Sequence, residues 1–221
     1  MVKRQYESPR RAEQAQRTRS AVVAGAHLLF VANGYASTSI REIAAEARVS
    51  EQTVYRLFSD KPALLREVVL TAVGGPEGPT VARQSRMMDQ LSELDSPVER
   101  LAAVAEWVGE SYGRGLAELE HVVWAAAPTD DRVAELAEFM ATQRYEDTRS
   151  LVLAVFGSSL KAEGVSVDDV IDYIYAVESS PVFRVLVTER GWTTEKYVQW
   201  FVRLVQRMFL ESGRHVENEN R

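Results

Sequence analysis

Between Ser39 and Phe58 the chain carries two helix-start signals only eleven residues apart. That spacing leaves room for two short helices joined by a tight turn and for little else. Ser39 is a good N-cap, and Glu42 three residues later completes a capping box, so a helix starts at about Ile40. Ile40, Ile43, Ala44 and Ala47 share one face of that helix and leave Arg41, Glu42 and Glu46 outward. Val49 falls in the turn as a plug for the core. Ser50 caps the next helix, in which Val54, Leu57 and Phe58 line one side. Ser50, Glu51, Gln52, Thr53 and Arg56 lie on or near the other. Asp60 and Pro62 mark a third start, with Lys61 beside its N-terminus. This is the layout of a helix-turn-helix, whose second helix can enter a DNA major groove and offer short hydroxyl and amide groups to base edges.

The charge of the chain is divided accordingly. Residues 1–66 hold 11 Lys+Arg and 6 Asp+Glu, net +5, while residues 67–221 hold 15 and 26, net −11, together the −6 of the whole sequence. A basic head on an acidic body orients an approach to phosphate. Lys3, Arg4, Arg10, Arg11, Arg17 and Arg19 form a basic arm ahead of a helix with the stripe Val22, Ala26, Leu29 and Phe30, which Asn33-Gly34 ends. Such an arm either neutralises phosphates or serves as a solubilising tail.

No strand signal stands out downstream, so the expected class is all-α. The helix from Lys61 runs to about Val73 and stops at the Gly/Pro cluster of residues 74–79, read as a loop. Ser96-Pro97 opens a helix through Tyr112, and Leu116 to Ala127 forms another, closed by Pro128. Asp130 or Asp131 caps a long one reaching Phe156 or Leu160; Asp168-Asp169 begins the next, which Pro181 kinks or ends; Thr194 caps the last. In that last helix Tyr197, Trp200, Phe201, Leu204, Val205, Met208 and Phe209 form a stripe broader than one helix usually needs. A second subunit packed on it, or burial in its own domain, both account for the stripe.

Phe30, Gly34-Tyr35, Thr38-Ser39, Ile43-Ala44, Val49-Ser50, Thr53-Val54-Tyr55, Phe58, Lys61 and Ala63-Leu64-Leu65 together resemble the N-terminal domain of the TetR family of transcriptional regulators, without a gap from about Arg19 to Val69. Ser180 to Arg184, Glu189 to Trp192, Tyr197 and Trp200 are similar to the C-terminal domain of one group of these regulators. The resemblance implies a three-helix helix-turn-helix DNA-binding domain in residues 1–66 and a larger helical effector-binding and dimerisation domain in 67–221. Its partners would be a double-stranded, approximately palindromic DNA operator, a second copy of the chain, and a small-molecule effector that releases repression. Position by position it puts Tyr55 and Lys61 on phosphates, Thr38 and Ser39 on the DNA backbone, and Gln52, Thr53 and Arg56 near base edges. Dimer contacts would come from Tyr197, Trp200, Phe201, Leu204, Val205 and Met208. Two positions depart from the family pattern. Arg48 stands where Gly is frequent, so the turn is either strained or differently shaped, and Arg48 gains a phosphate contact. Glu51 stands where a small or basic residue is frequent, and its carboxylate repels phosphate unless it accepts from cytosine.

For a ligand cavity the candidates are Trp107, Tyr112, His121, Trp124, Phe139, Tyr173 and Tyr175, which are equally what an ordinary helical core would use. Catalysis is not expected. His27, His121 and His215 are scattered, no HExxH spacing or Gly-rich phosphate loop occurs, and Asp130-Asp131 and Asp168-Asp169 sit where helix caps belong. No cofactor or metal is expected; the absence of cysteine removes thiolate sites. Without a signal peptide or an apolar run of spanning length, the expectation is a cytoplasmic protein with no membrane partner. The competing reading is a helical interaction module with weakened or no DNA binding.

Overall fold

The computed structural model describes residues 9–75, 80–157, 160 and 166–210, and every regular element among them is helical. Lys3, Arg4, His215, Pro76–Pro79 and the Arg11 side chain lie outside the described residues. The helices are α1 (Pro9–Asn33), α2 (Ile40–Glu46), α3 (Glu51–Leu57) and α4 (Lys61–Gly74), followed by α5 (Thr80–Glu93), α6 (Pro97–Gly113) and α7 (Leu116–Ala126). A 3-10 turn (Ala127–Thr129) leads into α8 (Asp131–Phe156); then come α9 (Val167–Val177), the short α10 (Ser180–Phe183), a π-type turn (Arg184–Glu189) and α11 (Thr194–Phe209).

Local chemistry fixes the starts. Ser39 Oγ accepts from Glu42 N–H while Glu42 Oε2 accepts from Ser39 N–H at 2.8 Å, the reciprocal capping box. Ser50 caps α3, Asp60 caps α4 with Pro62 in the first turn, and Asp130 caps α8. Three starts differ from expectation. Thr193 rather than Thr194 caps α11, and Ser166 caps α9, leaving Asp168 and Asp169 in its first turn beside the positive end of the dipole. The third is α5, not expected from the sequence, which buries Met87 and Leu91 within a largely polar segment. Pro181 opens α10 instead of kinking a longer helix, because its ring needs no N–H donor in a first turn.

The arm is partly helix. Because α1 starts at Pro9, Arg10 and Arg17 ride on its exposed surface. Val22, Ala26 and Phe30 are fully buried and pack with Ile43, Val54 and Leu64, the core of the head. That core continues without a break into the body, because α4 touches α1 on one side and α5, α6, α7 and α8 on the other. In the body α11 lies along α6, nearest at Gly109, where an added Cβ would come 2.5 Å from Val198 Cγ2. No helix among the described residues is long and apolar enough to cross a membrane.

Candidate nucleic-acid interface and the cavity beneath it

The second helix of the motif, α3, presents Glu51, Gln52, Tyr55 and Arg56 to solvent and turns Val54 inward. Tyr55 is 53% exposed, which for an aromatic residue on a seven-residue helix is an unusual place to leave apolar surface. Thr53 is half-buried, its hydroxyl 2.9 Å from Ser50 Oγ. Ser39 and Arg48 are exposed at the two ends of α2. Arg48 has φ 56°, the one non-glycine residue among those described with a positive φ. Its N–H donates to Ala45 O and the Val49 N–H to Ala44 O, so Arg48 occupies the left-handed position of a Schellman helix end.

Thr38 is 1% exposed and its hydroxyl donates to Gly34 O at 2.8 Å, tying the α1–α2 connection. Lys61 closes the same connection from α4: its Nζ donates to Tyr35 O at 2.9 Å and Thr38 O at 3.0 Å and lies 4.1 Å from the Tyr35 ring centroid. Burial lowers the Lys61 pKa, an effect partly offset by Asp130. Arg19, placed by sequence in the basic arm, instead turns inward. Its guanidinium pairs with Glu67 at 3.0 Å, donates to Leu57 O at the end of α3, and lies 4.5 Å from the Phe58 ring centroid. Two further contacts bind head to body: Arg132 to Asp60 at 2.8 Å, and the Tyr35 hydroxyl donating to Asp130 at 2.8 Å. Burial, then that hydrogen bond, raises the Tyr35 pKa.

Behind this face lies a cavity of about 920 Å³ walled by α1, α4, α6, α7 and α8. Arg19 and Glu67 are in its wall at the head end. At the other end Glu120, Arg144 and Glu178 form a floor. Arg144 Nη1 donates to the carbonyls of Tyr175 (2.9 Å) and Glu178 (2.8 Å), stands 3.9 Å from the Glu178 carboxylate, and has the Tyr175 ring 3.6 Å away. The Ser180 hydroxyl donates to Glu120. Burial pushes Glu178 up to about 7, against the opposing pull of Arg144 and the Tyr112 hydrogen bond; burial likewise raises Glu120, opposed by Ser180 and Arg144. The indole N–H of Trp107, also in the wall, is buried without a hydrogen-bond partner.

Residues 22–68 match the family model described as bacterial regulatory proteins, tetR family. The chain carries a TetR-family head. No curated protein matches it by sequence. Among solved structures, FadR from Bacillus halodurans, a fatty acid degradation regulator, aligns with TM-score 0.65 at 13% identity over 91% of this chain and 96% of that one. FadR from Bacillus subtilis in complex with stearoyl-CoA aligns at 0.61 and 15%, over 84% and 96%. A protein from Saccharomonospora viridis described as a transcriptional regulator, in complex with choline, aligns at 0.60 and 18%, over 85% and 95%. At these identities the likeness is one of fold.

Around the TetR-type head the sequence-named residues separate. Of the aromatic candidates, Trp107, Tyr112 and Phe139 line the cavity. His121 and Trp124 are exposed on α7, Tyr173 packs edge-on against Phe209, and Tyr175 lies under Arg144. Along α11, Tyr197, Phe201 and Val205 are buried within the chain, Trp200 and Leu204 are half-buried, and Met208 is 40% exposed. The charged wall and floor, Arg19, Glu67, Glu120, Arg144 and Glu178, were not singled out as cavity residues. Four of them sit in helices beside other charges and Glu178 follows the end of α9, and no local spacing separates an inward carboxylate from a solvated one.

Proposed function

We propose that the chain is a homodimeric DNA-binding regulator, acting in the cytoplasm as a repressor of a palindromic operator and released when a small molecule enters the cavity. Gln52, Thr53 and Arg56 read base edges from α3; Tyr55, Ser39, Arg48 and Lys61 hold the phosphates, with Thr38 fixing the backbone that presents them. The domain division falls within α4, near residue 66. Two heads related by a two-fold axis would read half-sites about one helical turn or a multiple apart. The partly exposed edge of α11 formed by Trp200, Leu204 and Met208 is the surface offered to the second subunit.

One observation carries the coupling: Arg19 belongs both to the cavity wall and to the carbonyl end of α3. A ligand that contacts Arg19 or its partner Glu67 favours one placement of α3 over another. That difference in affinity between two arrangements is what release requires.

The test is a titration of operator-selected and random duplex with Tyr55→Ala and Gln52→Ala. Tyr55→Ala should weaken binding to all sequences, and Gln52→Ala should mainly relax base preference, by about 1–3 kcal/mol at its position. Unchanged duplex binding in both would refute these roles. Lys61 also closes the α1–α2 connection, so its removal reports head stability together with DNA contact. The exposed carboxylate of Glu51 on the reading face is the observation that favours the alternative, an interaction module without DNA binding. A protein of that kind would show no duplex affinity at any salt concentration, whereas a DNA binder loses affinity steeply as salt rises.

A further inference from the structure

Charge is unevenly distributed in the cavity. Glu67, Glu120 and Glu178, three carboxylates of the wall, are set against two guanidiniums. At the head end, Arg19 is already paired with Glu67. At the floor, the N–H groups of Arg144 are directed to the Tyr175 and Glu178 carbonyls, and its distance of 3.9 Å from the Glu178 carboxylate leaves that pair loosely neutralised. His27, the remaining basic residue in the wall, is lowered in pKa by burial, so it stays neutral near pH 7. The lining between the ends is apolar and aromatic, with Val68, Leu70, Met140 and Leu151 beside Trp107.

On the reading of this cavity as the effector site, we propose that it takes an organic cation with an apolar body, the positive charge seated against the carboxylates of Glu120 and Glu178. A buried carboxylate pair short of one counter-charge is completed by a cation, and an aromatic wall favours cations further. A phosphate-bearing ligand such as an acyl-CoA would meet carboxylates at both ends of the cavity. The volume suits an occupant of drug-like size.

Entry of a cation also moves a proton. The groups facing the Glu178 carboxyl are Arg144 from α8, Tyr112 from α6, Glu120 from α7 and Tyr197 from α11. With Glu178 raised to about 7, the empty floor retains a proton that an incoming cation displaces to solvent. Cation affinity should therefore rise about tenfold from pH 6 to pH 8 and level off above.

The experiment is calorimetric titration of the full chain with (4-phenylbutyl)trimethylammonium, its neutral tert-butyl isostere, and stearoyl-CoA. The cation should bind about tenfold or more tightly than the isostere. Glu178→Gln and Glu120→Gln, checked for folding by thermal melting, should each reduce the cation to the isostere's affinity and leave the isostere unchanged. The pH series on the unaltered protein stands independently of how the variants fold. An isostere or acyl-CoA that binds as tightly as the cation overturns the ligand class and leaves the cavity as the effector site. If no probe binds, the ligand class and the reading of the cavity fall together.

Discussion

The helix caps of the head and the polar groups of the cavity floor are held in opposite ways. In the head the caps of the short helices are each fixed by a neighbour three residues away: Ser39 with Glu42, Ser50 with Thr53, Asp60 with Ala63. All of these lie at or near the surface. In the body the partners are remote in sequence, Arg144 reaching the Tyr175 and Glu178 carbonyls and Ser180 reaching Glu120, and the groups are largely buried. Local capping can place a polar face on a short helix before the rest of the chain has folded. A buried charge cluster exists only once α7, α8 and α9 have assembled, so its ionisation is coupled to the assembly of the body.

The strongest way to break this contrast is Arg144→Met, which keeps the volume and removes the guanidinium set against the floor carboxylates. Leaving Glu120 and Glu178 buried without a counter-charge should cost about 3–5 kcal/mol at pH 8, read from urea denaturation. A loss under about 1 kcal/mol would mean that the floor behaves like solvent-exposed surface. The same variant should recover part of its stability at pH 5, where the carboxyls take up protons.

Glu178→Gln is next. Its carboxyl passes from an ordinary 4.5 when unfolded to about 7 when folded, so between those values the folded chain holds a proton that the unfolded chain has lost. Stability from this group is complete below the unfolded value, falls as pH rises through the window, and is gone above about 7. The loss is up to about 3 kcal/mol between pH 4.5 and pH 8, and Glu178→Gln should flatten that part of the profile. A profile of unchanged slope would place the titration elsewhere.

The same contrast explains what the sequence disclosed. The capping box at Ser39, the Ser50 cap and the inward Val54 were readable because their causes lie within one or two turns of helix. The strained position of Arg48 was readable as a choice between strain and another turn, and the backbone adopts the strained one. Arg19 was misplaced because its neighbours Arg17 and Arg10 do face solvent, and only Glu67 and Leu57, 48 and 38 residues away, turn it inward. The cavity was half-visible: Trp107, Tyr112 and Phe139 stand in its wall, whereas Trp124 is 52% exposed although it has the same aromatic character. Whether an aromatic residue faces a cavity or solvent depends on which helix packs opposite, and no residue type records that.

A smaller effect tests the head alone. Ser39→Ala removes the hydroxyl that caps α2 and leaves the Glu42 carboxylate bonded to the Ser39 backbone. It should cost about 1 kcal/mol with no dependence on pH between 6 and 8, read from the same denaturation series. A pH-dependent loss there would show that the local contacts of the head are coupled to the buried charges after all.

The smallest expected effect is also the one that separates structure from recognition within the head. Arg48 pays a left-handed backbone cost of about 1 kcal/mol at the end of α2, a cost that glycine does not carry. The hydrogen bonds of that helix end, Arg48 to Ala45 and Val49 to Ala44, involve the backbone alone and survive the substitution. Arg48→Gly should therefore raise stability, by a few tenths up to about 1 kcal/mol, because the greater freedom of glycine in the unfolded chain offsets part of the relief. Arg48→Ala keeps the strain and should leave stability nearly unchanged. If Arg48 also holds a phosphate, both variants lose duplex affinity alike, with the slope of log affinity against log salt shallower by about one, although only one of them gains stability. A gain in stability in both variants would mean that the strain is not at this residue, and equal duplex binding in all three proteins would assign Arg48 to the turn alone.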